Sequence, residues 1–429
     1  MTEVEKKHSR YILTLLFLIN LLNFYDRQIL AVVTEPVRLE WNLTDTQLGW
    51  IGTAFTLVYA VIGLPLGRLA DTTSRTRVLA IGVTVWSAFT AMSGMAWGYW
   101  SLWMSRIGVG VGEASCSPAS NSLIGDLFPP ERRARAIGFF MLGLPIGITL
   151  TSLISGFIAR SYGWRAAFLV ATVPGLVLAA LVARIPDQRR DVAASTASRV
   201  SWMEPYRELW RIPTLRWLVV SGALHNFNAY AVNAFLPAYL MRYHGLTLPQ
   251  ASGISAVTLG AVGIVSLVAG GIAADRARVY SANARLQLGT IAFVLATPLL
   301  FAALLLPSGA ISLFVVLMGT GWLLNYLYYV TVYPAIHDVV RPALRGTAMA
   351  IYFFWMYVLG GAFGTAALGM LSDRFAQRAM INEGAVQMTE TARATGLHNA
   401  FLVVPVITLL LAVVLLIASR SMRRDMARL

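Results

Sequence analysis

Four ionisable residues stand in surroundings that are otherwise apolar: Asp26 and Arg27 in NFYDRQIL, and Arg106 and Glu113 in RIGVGVGE. Arg106 and Glu113 are seven residues apart. On a helix that is two turns, so they share one face at roughly 10 Å separation along the axis. Gly108, Gly110 and Gly112 lie between them and would let a neighbouring helix approach closely. Asp26 and Glu113 read as the only carboxylates well inside apolar stretches. A carboxyl group in a low dielectric resists ionisation and can carry a proton, whereas an arginine stays charged and holds a carboxylate or phosphate with two parallel hydrogen bonds. The four together make a switch: protonating an acid frees an arginine for an anion or repositions two helices. Two plainer readings stand beside it. Arg106 and Glu113 would then only lock two helices together, or Asp26 would sit half solvated near the outer end of its stretch.

The elements that must hold these residues follow from composition. The 429-residue chain is 57% hydrophobic and 13% charged, where a soluble chain carries about a quarter charged residues. Crossing a hydrocarbon layer takes about 20 apolar residues as helix. Twelve such spans are legible, at 11–33, 47–70, 78–97, 100–124, 135–159, 164–184, 215–241, 250–273, 286–306, 310–336, 343–371 and 397–419. Asp26 and Arg27 fall in span one, Arg106 and Glu113 in span four. The first span is too long for a cleavable signal peptide. One cysteine, Cys116, excludes an internal disulfide, and no two of the five histidines have metal-ligand spacing. No metal and no cofactor is expected. The net charge of +14 does not point to nucleic acid, because the basic residues lie between apolar spans.

Those basic residues orient the chain. With the N-terminus inside, twenty-five Lys and Arg fall in inner segments and seven in outer ones, with Arg27 and Arg106 inside spans. The positive-inside rule then places both termini in the cytoplasm, in a cell inner membrane. The longest inner loop, 185–214, separates residues 1–184 from 215–429. Its second part, SWMEPYRELWRIP, sets Trp202, Met203, Tyr206, Leu209 and Trp210 on one helical face, with a capping box at Ser201 and Glu204. It reads as a helix lying in the membrane interface or packed against the bundle.

The two parts repeat one another. Gly67 and Asp71 after span two match Gly271 and Asp275 after span eight, where Arg276 follows. Arg135 at the start of span five matches Arg345 at the start of span eleven, and Asp126 matches Asp338. Parallel six-span repeats around a central cavity are transporter architecture. Gly67, Asp71, Arg75, Arg135, Asp275, Arg276 and Arg345 are the candidate cytoplasmic gate. Gly143, Pro145 and Gly147 in span five correspond to Gly360, Gly361 and Gly364 in span eleven, as hinges or as close-packing contacts.

At this point the chain resembles the major facilitator superfamily, in its twelve spans, long central loop and G-x-x-x-D loop. Thr72 and Ser74 depart from that loop's usual arginine and glycine, while Arg75 fits. NFYDRQIL, GVGEASCSPAS and GDLFPPERRARA resemble the spinster branch, whose members move sphingolipids, sphingosine phosphates or lysophospholipids. The resemblance implies an all-α membrane protein with the major facilitator fold, twelve transmembrane helices in two six-helix halves. It also implies alternating access, not an enzyme. The partners expected are protons, membrane lipids and a small amphipathic or anionic substrate, handled by a monomer. Glu113 and Asp26 are the proton-titrating candidates, and Arg106 and Arg27 their charge partners or the head-group site. Asn228, Tyr230, Asn233, Asn325, Tyr329 and Trp355 would line the opposite, aromatic wall of the cavity. His225 is expected to be a hydrogen-bonded packing residue rather than a proton carrier. A proton-coupled organic-anion or multidrug transporter is the competing transport reading, and a lipid receptor without transport the competing class. The chain has no P-loop for ATP-driven pumping.

Overall fold

The computed structural model describes residues 3–128, 130–187, 204–281, 283–341 and 344–427, which are helical with no strand among them. The chain divides into two compact units. One takes Met1–Asp191 with Leu236–Ala238 and Thr247–Ala256; the other takes Val192–Phe235, Tyr239–Leu246 and Val257–Leu429.

The first unit runs α1 (Glu3–Trp41), α2 (Asp45–Thr72), α3 (Arg75–Gly94), α4 (Tyr99–Glu113), α5 (Cys116–Leu127), α6 (Pro130–Met141), α7 (Gly143–Leu150), a π-helical turn Thr151–Ser155, α8 (Gly156–Tyr162) and α9 (Trp164–Ala183). Two of the interruptions lie four residues before a proline. A proline has no N–H and clashes with the carbonyl four residues back. For Pro118 that residue is Ala114, where α4 gives way to α5; for Pro145 it is Met141, where α6 gives way to α7. Span four, expected as one helix, is therefore two, and the break falls directly after Glu113.

The later part of the chain carries α10 (Glu204–Trp210), α11 (Pro213–His244), α12 (Leu248–Ser255), a π-turn Ala256–Ala261, α13 (Val262–Tyr280), α14 (Ala284–Leu304), α15 (Ile311–Asp338), α16 (Arg345–Trp355), a π-turn Met356–Gly361, α17 (Ala362–Asn382), α18 (Glu390–Phe401) and α19 (Val403–Met426). Among the described residues, ten helices are long and apolar enough to cross a membrane. The expected spans not among them are the broken α4–α5 and α11, which carries His225, Asn226, Asn228 and Asn233.

Local chemistry repeats along with the spans. Thr44 and Gln47 form a capping box at the start of α2, and Thr247 and Gln250 form another at the start of α12. Gly143 and Gly147 press on the α1 backbone: a Cβ there would lie 2.8 Å from Leu21 N and 2.6 Å from Leu21 O. Gly360 and Gly364 press likewise on α11, at Ala223 O and Phe227 O. These glycines serve close packing, and the irregular turns sit beside them. In α11, Asp425 of α19 accepts from the backbone N–H of Thr214 at 2.9 Å, a carboxylate placed on the helix's positive end.

The helix α10, in the loop expected to lie inside, is packed rather than free. Leu209 is fully buried in one core with Leu215, Leu218 and Val340, and Glu208 pairs with Arg341 at 3.4 Å. Ser201, Trp202 and Met203, and the side chains of Glu204 and Tyr206, lie outside what is described. The expected outer loop 372–396 is largely helix: α17 runs on to Asn382 and α18 turns back against it, with Gly396 set on Ser372 O and Ala376 N.

Candidate functional site

Glu113 and Arg27 meet in the interior of the first unit. Arg27 Nη2 and Nε donate to Glu113 Oε2 at 2.9 and 3.1 Å, and their side chains are 6% and 0% exposed. The guanidinium is boxed by rings, its Cζ 4.5 Å from the Tyr59 centroid and 5.1 Å from those of Phe24 and Phe55. Its Nη2 also lies 3.4 Å from Asn23 Oδ1. Such cation–π contacts supply about 2 kcal/mol when desolvated, which helps to hold a charge that has left water.

Asp26 is fully buried and accepts from Thr90 Oγ1 at 3.3 Å, while its Oδ1 has no hydrogen-bond partner. It is not half solvated. Arg106 is 1% exposed. Its Cζ lies 5.2 Å from the Phe55 centroid, so one ring sits between two guanidiniums. Arg106 Nε and Nη1 have no partner, nor does Glu113 Oε1. Both carboxylates and both arginines interact electrostatically. The four residues singled out in the sequence therefore converge, with one change of pairing: Arg27 from α1, not Arg106 two turns back on α4, closes the ion pair with Glu113.

The glycines of α4 make this possible. A Cβ on Gly110 would come within 2.9 Å of Phe55 O on α2, and one on Gly112 within 2.5 Å of Trp86 N on α3. A Cβ on Gly108 would come within 2.3 Å of the Phe89 ring. Two helices, α2 and α3, thus crowd the turn that ends at Glu113.

A third acid was missed. The apolar pattern ends span one at residue 33, but α1 continues to Trp41 and buries Glu35 with Arg38, Nη2 to Oε1 2.7 Å. The signal was available in the i,i+3 spacing of the pair.

The residues expected to form the aromatic wall each have neighbours within the later part of the chain. Asn228 is fully buried and donates to Val404 O at 3.0 Å and Thr408 Oγ1 at 3.1 Å, bolting α11 to α19 rather than lining a cavity. Half-buried Asn233 donates to Ala229 O on its own helix at 2.6 Å. Tyr230 stands edge-on to Tyr357, and Trp355 packs on the core of the second unit. His225 stacks flat on Tyr328 at 4.0 Å and edge-on to Tyr329 at 5.1 Å, with neither nitrogen hydrogen-bonded. It packs as expected, but without the hydrogen bond expected of it. Asn325 is 1% exposed with both amide atoms unpartnered.

At the candidate gate, Arg75 pairs with Asp126 and, at 2.8 Å, with Asp187. Asp187 also caps the Arg75 N–H at 2.6 Å. Its counterpart is Arg285, paired with Asp338 at 3.2 Å. Each arginine ties helix ends within its own unit. Arg276 is exposed, and exposed Arg345 donates to His337 O at 3.1 Å. The side chains of Asp71, Arg135 and Asp275, and the surroundings of Gly67, lie outside the described residues.

The Major Facilitator Superfamily profile matches residues 16–365. The chain belongs to this superfamily. It is a spinster-like secondary transporter within it, not an enzyme. A crystal structure titled as a bacterial homolog to the human lysosomal transporter Spinster, inward-facing and unoccupied, superposes with a TM-score of 0.87 at 26% identity over 99% of both chains. An MFS-type efflux pump of Mycolicibacterium smegmatis is 29% identical over 96% of this chain and 92% of its own. The hexuronate transporter of Bacillus subtilis is 27% identical over 85% and 88%.

Proposed function

We propose that this transporter couples proton movement to the export or uptake of an amphipathic lipid of sphingolipid or lysophospholipid type, through Glu113 first and Asp26 second. The observation that supports it is the buried Arg27–Glu113 pair with Asp26 and Arg106 beside it. An uncompensated charge buried there costs several kcal/mol. Protonating Glu113 removes its hold on Arg27, and the cost of that step differs between two states of the transporter if their hydration differs. The differential is what a pH gradient can drive. Arg106, with N–H groups lacking partners, is the group left to take an anionic head.

The test is transport of a fluorescent lysophosphatidylethanolamine by purified protein in liposomes, with and without a pH gradient. The parent should respond to the gradient, and Glu113→Gln should retain binding while losing the response. If Glu113→Gln and Asp26→Asn both keep the parent's pH dependence, a facilitator driven by the substrate gradient alone replaces this reading.

A second reading, an organic anion as cargo, is favoured by Asn325. A buried amide without partners costs about 1–3 kcal/mol; a lipid tail leaves it so, and a hydroxylated anion does not. A hexuronate-type sugar acid competing with the lysolipid in the same assay would favour this reading.

A further inference from the structure

The turn Thr151–Ser155 is stitched to α1 at the residue next to Asp26. Thr151 Oγ1 lies 2.9 Å from the Tyr25 carbonyl and 2.8 Å from Gly147 O, so one hydroxyl proton is shared between the two helices. Four residues on, Ser155 Oγ meets the Tyr25 hydroxyl at 2.9 Å. Tyr25 therefore grips both ends of the π-turn, by its carbonyl and by its ring. Both bonds are buried, and the phenol interacts electrostatically with the Asp26 carboxyl. Below the turn, Gly143 and Gly147 leave no space between span five and α1.

A π-turn carries one residue more than the α-helix needs, and such turns concentrate at functional positions. Passing from π to α shifts the following helix by one residue, about 100° and 1.5 Å. A small displacement of α1 at Asp26 thereby has a large consequence for α8. The second unit shows the same grip without a charge. Asn226 of α11 donates to Met356 O, the first residue of the π-turn in span eleven, at 3.2 Å. The neighbour of Asn226 there is the stacked His225.

We propose that Tyr25 and Thr151 are positioning residues for transport, tying the charge site at Asp26 and Arg27 to the π-turn of span five. The proposal rests on Asp26 and Glu113 changing charge during transport. The charges acting on Asp26 are Arg106 and Glu113 from α4, with Arg27 its neighbour on α1; Thr90 of α3 is its hydrogen-bond donor. Neither α7 nor the π-turn contains a charged residue; α8 carries Arg160, beyond the π-turn, and α9 carries Arg165 in its first turn. The hydrogen bonds that join the π-turn to the charge site run through Tyr25 of α1.

Hydrogen–deuterium exchange of the full chain in lipid nanodiscs tests this at fixed pH. In the parent, Asp26→Asn should change exchange across 143–162 by twofold or more, along with that of 20–30. In Thr151→Val and Tyr25→Phe backgrounds the change at 20–30 should persist and the change at 143–162 should vanish. Thr151→Ser, which keeps the hydroxyl, should restore it. An unaltered response of 143–162 in both Thr151→Val and Tyr25→Phe overturns the stitch alone. Should Asp26→Asn alter neither segment in the parent, the charge reading of Asp26 fails and the stitch with it.

Discussion

At the scale of residues, the two arginines near Glu113 have separate duties. Arg27 is fully engaged by the carboxylate and three rings, whereas Arg106 shares only Phe55 and keeps unpartnered N–H groups. Breaking a buried ion pair at one end costs about 3–5 kcal/mol, because the other charge is left in a low dielectric. Arg27→Ala should therefore lower the unfolding temperature in detergent markedly. Arg27→Ala with Glu113→Gln should recover most of the loss, since the orphaned charge is gone. A double mutant no more stable than Arg27→Ala would show that the pair contributes little. Arg106→Ala should weaken binding of an anionic probe at least tenfold with a smaller effect on stability, measured by calorimetry on the same preparations. Which arginine did which was not legible in the sequence. The seven-residue spacing placed Arg106 and Glu113 on one face, but the arrival of Arg27 depends on how α1 packs, a long-range fact that no local spacing contains.

At the scale of elements, small residues and prolines decide the geometry. Gly112 has Trp86 N and Gly82 O at 2.5 and 2.7 Å from where a Cβ would stand, all of it backbone that cannot turn aside. Overpacking of this kind costs about 1–3 kcal/mol. Gly112→Ala should lower thermal stability by that amount and displace Glu113 from Arg27, whereas Gly125→Ala, with open space around it, should be neutral. Equal effects would contradict the crowding argument. The spacing of Gly108, Gly110 and Gly112 disclosed the close approach before any coordinates. The break after Glu113 was hidden, because Pro118 acts four residues upstream of itself and the apolar run continues across it. The π-turns were hidden too: Gly143, Gly147, Gly360 and Gly364 marked their neighbourhood, but the turns depend on partners on α1 and α11. Sequence spacing does not say which neighbour each polar residue of α11 meets. Consecutive asparagines on α11 point to different sides, and Asn228 is used to fasten α19.

At the scale of the whole molecule, the repeat was legible in the helix ends, where Gly67 and Asp71 match Gly271 and Asp275 and Asp126 matches Asp338; the structure adds paired capping boxes and the Arg75–Asp126 and Arg285–Asp338 ion pairs. The orientation in the membrane is an inference from charge. The basic residues divide twenty-five to seven between the two sides, and such an asymmetry sets topology through the cost of moving short basic loops across the bilayer. It requires 185–214 and both termini to face the cytoplasm, and the turn between α17 and α18 to face outward. Cys116 is buried and is the one native cysteine, so Cys116→Ser gives a silent background. Val386 is 95% exposed in that outer turn. In intact cells a membrane-impermeant maleimide should label Val386→Cys and not Ala194→Cys; after permeabilisation it should label both. Labelling of Ala194→Cys from outside would invert the orientation. The acids at Asp26 and Glu113 would then respond to the opposite direction of a proton gradient, so the same labelling result fixes the sign of the pH dependence expected in liposomes of known sidedness.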